Sequence, residues 1–143
     1  MTYATLAHLT DRFGADMLIA LTDRAQPATG AIDAVVVDRA LADADAVIDG
    51  YIGGRYVLPL AEVPPLLAEM ARSIAIWKLH THRPDDKIAE DYKDALRLLR
   101  DISDGKITLS VASQTAPATV EGSGARLTDR ERPLTAENMV GFI

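Results

Sequence analysis

Apolar residues recur at every third or fourth position between residues 32 and 53, which is the spacing of one face of an α-helix. The positions of this stripe are occupied by Val37, Leu41, Ala44, Ile48, Tyr51 and, just beyond it, Arg55. Alternate residues from 40 to 46 are Ala, so this helix is narrow and neighbouring helices can approach it closely. Gly53 and Gly54 end the pattern. A helix this long, beginning at about Ile32 or Asp33, makes a helical bundle the architecture to expect.

Four other segments carry the boundary or periodicity signals of helices. They are residues 5–13, with Thr5 as cap and Gly14 as terminator, residues 16–21, residues 64 or 65 to about 82, and residues 85 or 86 to about 103. Aromatic residues make up only 5% of the chain, so its core must consist mostly of Ala, Leu, Ile and Val, which suit helix packing better than a β-sandwich. The sequence therefore predicts an all-α bundle of four to five helices within residues 1–110, with Trp77 buried in its middle.

The composition changes after residue 110. Residues 107–111 could add a short strand or an extended strap, and eleven of the fourteen residues from 112 to 125 are Ala, Ser, Thr, Gly or Pro. Such a segment cannot bury enough apolar surface to offset its ordering entropy, which predicts a flexible linker. Apolar residues then return as Leu134, Met139, Val140, Phe142 and Ile143. Residues 111–143 are therefore predicted to form an extended arm that ends in a docking peptide, and the alternative is a frayed tail.

The residue types that enzymes and metal sites need are scarce. The chain has no cysteine, which excludes disulfides, thiol catalysis and thiolate ligands. His80 and His82 are close in sequence, but positions two apart on a helix point about 200° away from each other and cannot share one metal ion. We therefore expect no catalytic residue, no metal site and no cofactor, and a protein that is not an enzyme. The opposing hypothesis is a metal-dependent hydrolase that uses the two histidines and nearby carboxylates.

The net charge of −6 argues against a protein whose main task is to bind phosphate backbones, because that task calls for clustered Lys and Arg. No apolar run is long enough for a membrane span. Asp11, Arg12 and Asp16 interrupt the first apolar run early, so no signal peptide is expected.

Residues 49–60 contain two Tyr and one Arg at a helix end, followed by a segment stiffened by Pro59. Tyr and Arg are enriched among the residues that anchor protein interfaces, which makes Tyr51, Arg55 and Tyr56 candidate interface residues. The alternative is that the two Tyr complete the core and Arg55 caps carbonyls at the helix end. The sequence does not decide between these interpretations.

An ordered set of short matches gives the chain a family resemblance. They include Tyr-Ala-Thr-Leu at 3–6, Arg-Phe-Gly at 12–14, Leu-Thr-Asp-Arg at 21–24, Ala-Leu-Ala-Asp-Ala at 40–44, Ile-Asp-Gly-Tyr at 48–51, Arg-Tyr-Val-Leu-Pro-Leu at 55–60, Tyr-Lys-Asp-Ala-Leu at 92–96 and Gly-Lys-Ile-Thr-Leu at 105–109. In these residues the chain resembles the neck, or head–tail connector, family of Mu-like phages and prophages. The looser match at 134–142 resembles a short closing motif of that family.

The resemblance implies a structural helical subunit, without cofactor, that forms a homo-oligomeric ring under the portal at the capsid vertex. The implied partners are the portal protein and the tail or next neck protein, with packaged DNA passing through the lumen unbound and no membrane involved. The implied location is the virion neck, and the host bacterial cytoplasm during assembly. The alternative is a cytoplasmic helical protein-interaction module without a phage role.

Overall fold

A computed structural model describes residues 1–111, and the predictions for the linker and docking arm at residues 112–143 lie outside that part. Within it the chain forms five α-helices and no strand. The helices are α1 (Leu6–Phe13), α2 (Ala15–Thr22), α3 (Ala34–Ile52), α4 (Pro65–Leu79) and α5 (Asp86–Ser103). The predicted all-α class is confirmed. No helix of residues 1–111 is both long and apolar enough to cross a membrane.

Local capping explains where the helices begin and end. The Thr5 hydroxyl accepts a hydrogen bond from the His8 amide, and the His8 side chain accepts one from the Thr5 amide. The two bonds form a capping box. Gly14, with φ of 85°, separates α1 from α2. The Asp33 carboxylate accepts from the Val35 amide at 2.9 Å and starts α3. The predicted cap at Thr5 and break at Gly14 are confirmed.

The core lies where α3, α4 and α5 pack together, with α4 also contacting α1. Eight of the fifteen residues of α4 are buried, which makes it the central helix of the bundle. On α3 the predicted stripe is buried as far as Ile48 and then continues through Ile52, not Tyr51. Since 3.6 residues make one turn, positions 51 and 52 both lie close to the helix face of residue 48, one on each side of it. Periodicity therefore does not indicate which of them is buried.

Two sequence predictions for α4 were wrong. The helix ends at Leu79 instead of about residue 82, because His80 adopts extended backbone angles. Its ring Nδ1 lies 2.8 Å from the Ile76 carbonyl oxygen, the group that the His80 amide would have used in a continuing helix. Trp77 is only half-buried, at the edge of the bundle, because smaller Ala and Ile side chains fill the middle.

Residues 107–111 follow α5 as an irregular strap without strand structure, in which the Val111 amide donates to the Leu109 carbonyl at 2.9 Å. Leu109 is buried, and its amide donates a 2.8 Å hydrogen bond to the Tyr56 hydroxyl. Tyr56 comes four residues after the end of α3. The strap therefore leaves the bundle beside the C-terminal end of α3.

Candidate interaction surface

Apart from Arg55, the residues predicted as interface anchors divide into three settings. Tyr51, on the last turn of α3, is half-buried and presents part of its ring to the surface. Tyr56 is 2% exposed and belongs to the core, in agreement with the alternative interpretation. The four candidates in the arm, Leu134, Met139, Val140 and Phe142, lie outside the described residues.

Arg55 lies against the end of a different helix from the one that it follows. A Cβ placed on Gly105 would overlap the Arg55 guanidinium, so the guanidinium lies directly over that glycine. Gly105 comes just after the C-terminal end of α5, where the helix dipole favours a cation. Arg55 therefore ties the turn after α3 to the end of α5.

Tyr51 lines an open groove between α3 and α5. The groove has a volume of about 350 Å³. Its walls are Ala46, Val47, Gly50 and Tyr51 from α3, and Tyr92 and Leu96 from α5. Gly50 has no side chain, and a Cβ built there would meet no atom within 4 Å. The groove is therefore mainly apolar, has one Tyr in each wall, and leaves free space next to Gly50.

Trp77 supports the groove from behind. Its ring stacks on Tyr92, with centroids 4.2 Å apart and planes 7° from parallel. This stack fixes the ring that forms the α5 wall. Sequence reasoning missed Tyr92 and Leu96 as surface residues, although their spacing of four places both beside the buried stripe of α5.

The outer rim of the groove on α5 is basic. Lys93 and Arg100 are both exposed. They lie three and four residues from Leu96, which places them on the same flank of the helix. Neither forms an ion pair with any other residue in positions 1–111. The rim therefore offers unpaired positive charge next to an apolar channel.

The opposite flank of α5 carries Asp91 and Asp94, and both carboxylates are already paired with basic residues. Arg12 of α1 pairs with Glu69 of α4, and one of its nitrogens lies 3.7 Å from Asp91 of α5. Arg72 pairs with the same Glu69. These groups are partly exposed, so the pairs orient the three helices more than they stabilise them. The two flanks of α5 therefore differ: the charges of Asp91 and Asp94 are paired within residues 1–111, and those of Lys93 and Arg100 are not.

A buried acidic cluster anchors the N-terminal segment to α3. The Tyr3 amide donates to Asp45 Oδ1 at 3.0 Å, and the Tyr3 hydroxyl donates to Asp49. Burial raises the pKa of Asp45 above its usual value, and the hydrogen bond from Tyr3 opposes only part of that change. Burial, with the Asp49 carboxylate second, also raises the pKa of the Tyr3 phenol. These two hydrogen bonds tie Tyr3 to successive turns of α3.

The histidine pair of the metal hypothesis is not assembled into a site. The His80 ring is held at the Ile76 carbonyl, and His82 is exposed in the loop before α5. Among residues 1–111, no three His, Asp or Glu side chains are placed to hold a metal ion together.

Comparison with known proteins gives a consistent result. A family described as "Bacteriophage Mu, Gp36" matches residues 3–127. "Gene product J" of Escherichia phage Mu is 38% identical over 143 residues, which is the full length of both chains. The Mu-like prophage FluMu protein gp36 of Haemophilus influenzae is 35% identical over 118 residues, which is 82% of each chain.

Proposed function

The chain belongs to the bacteriophage Mu Gp36 family, and we propose that it is a structural, non-enzymatic subunit of the phage neck that forms a ring between the portal vertex and the tail. The observation that carries this proposal is the match to a Mu protein over the whole of both chains. A phage role therefore concerns the entire chain. The step from phage protein to neck subunit rests on the resemblance of residues 1–110 to Mu-like connector proteins.

The surface of α5 supports the ring. Subunits in a ring meet head to tail, so each needs two different patches that complement each other. On the flank with Asp91 and Asp94 the carboxylates are paired with basic residues, and the flank with Lys93 and Arg100 is basic and open. Two flanks that differ in this way suit a contact between unlike patches of neighbouring copies.

The proposed partners follow from a position in the neck. They are further copies of this chain, the portal protein, and the tail or next neck protein. Packaged DNA would pass through the lumen, and a net charge of −6 disfavours specific binding to its phosphates. The relatives give no support to the alternative of an interaction module without a phage role, because both come from a phage or a prophage.

Electron microscopy of the purified chain mixed with the portal protein of the same phage tests the proposal. We expect a ring of added density at one end of the portal. Arg100→Glu, which reverses a charge on the open flank, should reduce the occupancy of that ring. Arg83→Glu makes the same charge change in the exposed loop before α5 and should leave it unchanged. A portal without added density in the presence of the unaltered chain would contradict the proposal.

A further inference from the structure

The groove between α3 and α5 has the dimensions of a peptide site. At about 350 Å³ it lies near the lower end of the range for binding pockets, which is roughly 300–1,000 Å³. A stable contact between two folded surfaces buries about 800 Å² on each partner, far more than six lining residues provide. The groove therefore suits a few inserted side chains better than the face of a globular partner.

The chain itself contains a segment with matching chemistry. Residues 134–143 carry apolar side chains and a single charged side chain, Glu137. Ala136, Met139, Val140 and Ile143 have the i, i+3, i+4, i+7 spacing with which an amphipathic helix enters a groove. The acidic charge complements the basic rim at Lys93 and Arg100.

The spacer is long enough to bring the two together. Twenty-two residues, 112–133, separate the strap from this segment. A chain of that length and composition spans about 25 Å on average, which is comparable to the width of a domain of this size. The strap begins this path beside the end of α3, the helix that forms one wall of the groove.

We propose that the α3/α5 groove is the docking site for residues 134–143 of a neighbouring copy of the chain. The choice of a neighbouring copy rests on the proposed ring, since a segment bound to its own groove would join no subunits. Each copy then supplies one peptide and one groove, which is a heterologous contact. Glu137 faces Lys93 and Arg100, and the apolar side chains enter beside Tyr51 and Tyr92.

Fluorescence of Trp77 provides the first test, because this sole Trp stacks on a wall of the groove. The receptor is the full chain carrying Met139→Asp and Phe142→Asp, so that its own segment does not compete. A synthetic peptide of residues 134–143 should change the emission and saturate below about 1 mM, the concentration that a short tether supplies. No saturable change at that concentration would overturn the proposal.

Filling the groove provides the matched variant. Gly50→Leu projects a side chain into open space, improves helix propensity and disturbs no core residue. In the same receptor it should abolish the fluorescence change. Ala42→Leu makes a similar addition at an exposed position of α3 outside the groove and should bind the peptide normally. Equal binding by both variants would place the peptide elsewhere and overturn the assignment.

Cross-linking decides which copy supplies the segment. Because the chain has no native cysteine, Leu96→Cys in one copy and Phe142→Cys in another give a single defined pair for a short bis-maleimide reagent. The mixture should yield covalent dimers, whereas Val35→Cys, an exposed position 66% accessible to solvent, should not replace Leu96→Cys. A cross-link formed only when both cysteines are in one chain, which leaves a looped monomer, would overturn docking between copies.

These results separate the inference from the proposed function. Peptide binding with no ring on the portal would leave the docking site standing and reject the neck assignment. A ring on the portal that Gly50→Leu does not alter would support the neck assignment and reject the docking site.

Discussion

Trp77→Ala measures how much of the stability of the bundle comes from its edge. Deleting a fully buried large aromatic side chain costs roughly 3–5 kcal/mol. Trp77 is not fully buried, so we expect a cost below that range, and the loss of its stack on Tyr92 accounts for about 0.5–1.5 kcal/mol of it. We expect Trp77→Ala to lower the free energy of unfolding by about 2 kcal/mol.

Urea denaturation followed by circular dichroism is the suitable assay, because the substitution removes the only Trp fluorophore. Trp77→Phe keeps a flat ring over Tyr92 and should lose about 1 kcal/mol or less. A double-mutant cycle with Tyr92→Leu isolates the stack, for which we expect a coupling free energy of about 1 kcal/mol. The native emission of Trp77 should lie between that of a buried and that of a fully hydrated indole.

Two results would refute this reasoning. A loss above about 4 kcal/mol, together with the emission of a fully buried indole, would place Trp77 in the centre of the core. A coupling free energy indistinguishable from zero would mean that Trp77 and Tyr92 do not stack in solution. In that case the fluorescence of Trp77 would also be a poor reporter of the groove.

Two further substitutions test other parts of the structure by urea denaturation. Gly105→Ala should lower the free energy of unfolding by about 1–2 kcal/mol, because φ of 81° is strained for a residue with a Cβ. That Cβ would also displace Arg55. Unchanged stability would contradict the placement of Arg55. The raised pKa of Asp45 means that ionising its carboxyl group costs more free energy in the folded than in the unfolded state. The contribution of Asp45 to the stability of the fold therefore falls as pH rises from 3.8, its ordinary pKa, through the raised pKa. Asp45→Asn keeps an oxygen acceptor for the Tyr3 amide and should gain stability relative to the unaltered chain as pH rises above 3.8. A difference independent of pH would contradict a buried Asp45.

The helices could be predicted from the sequence because their signals are local. Thr5, Gly14 and Asp33 each act on backbone groups within a few residues, so their effects can be read from a short window. The end of α4 was predicted wrongly because the His80 ring lies at the Ile76 carbonyl oxygen, which would accept a hydrogen bond from the His80 amide in a continuing helix. That competition depends on a side-chain conformation, which periodicity does not contain.

The groove could be predicted only in part. The run at residues 49–60 identified Tyr51, which lines it, together with Tyr56, which is buried. The chain turns after α3, and sequence spacing no longer indicates which face a residue takes beyond that turn. The opposite wall depends on how α5 packs against α3 and on the stack between Trp77 and Tyr92, which are fifteen positions apart. Such contacts follow from tertiary packing and not from any local pattern.

The proposed docking contact has a consequence for how a ring could close. A peptide bound in the groove of the next copy fixes which surfaces meet, but the flexible linker that the sequence predicts after residue 111 would not fix the angle between the two bodies. A heterologous contact without a set angle closes into a ring only by chance and otherwise continues as an open chain. Ring closure would therefore need a rigid template with its own symmetry. For the proposed neck subunit the portal is that template, so the purified chain alone should give short chains of mixed length and should form uniform rings only on the portal.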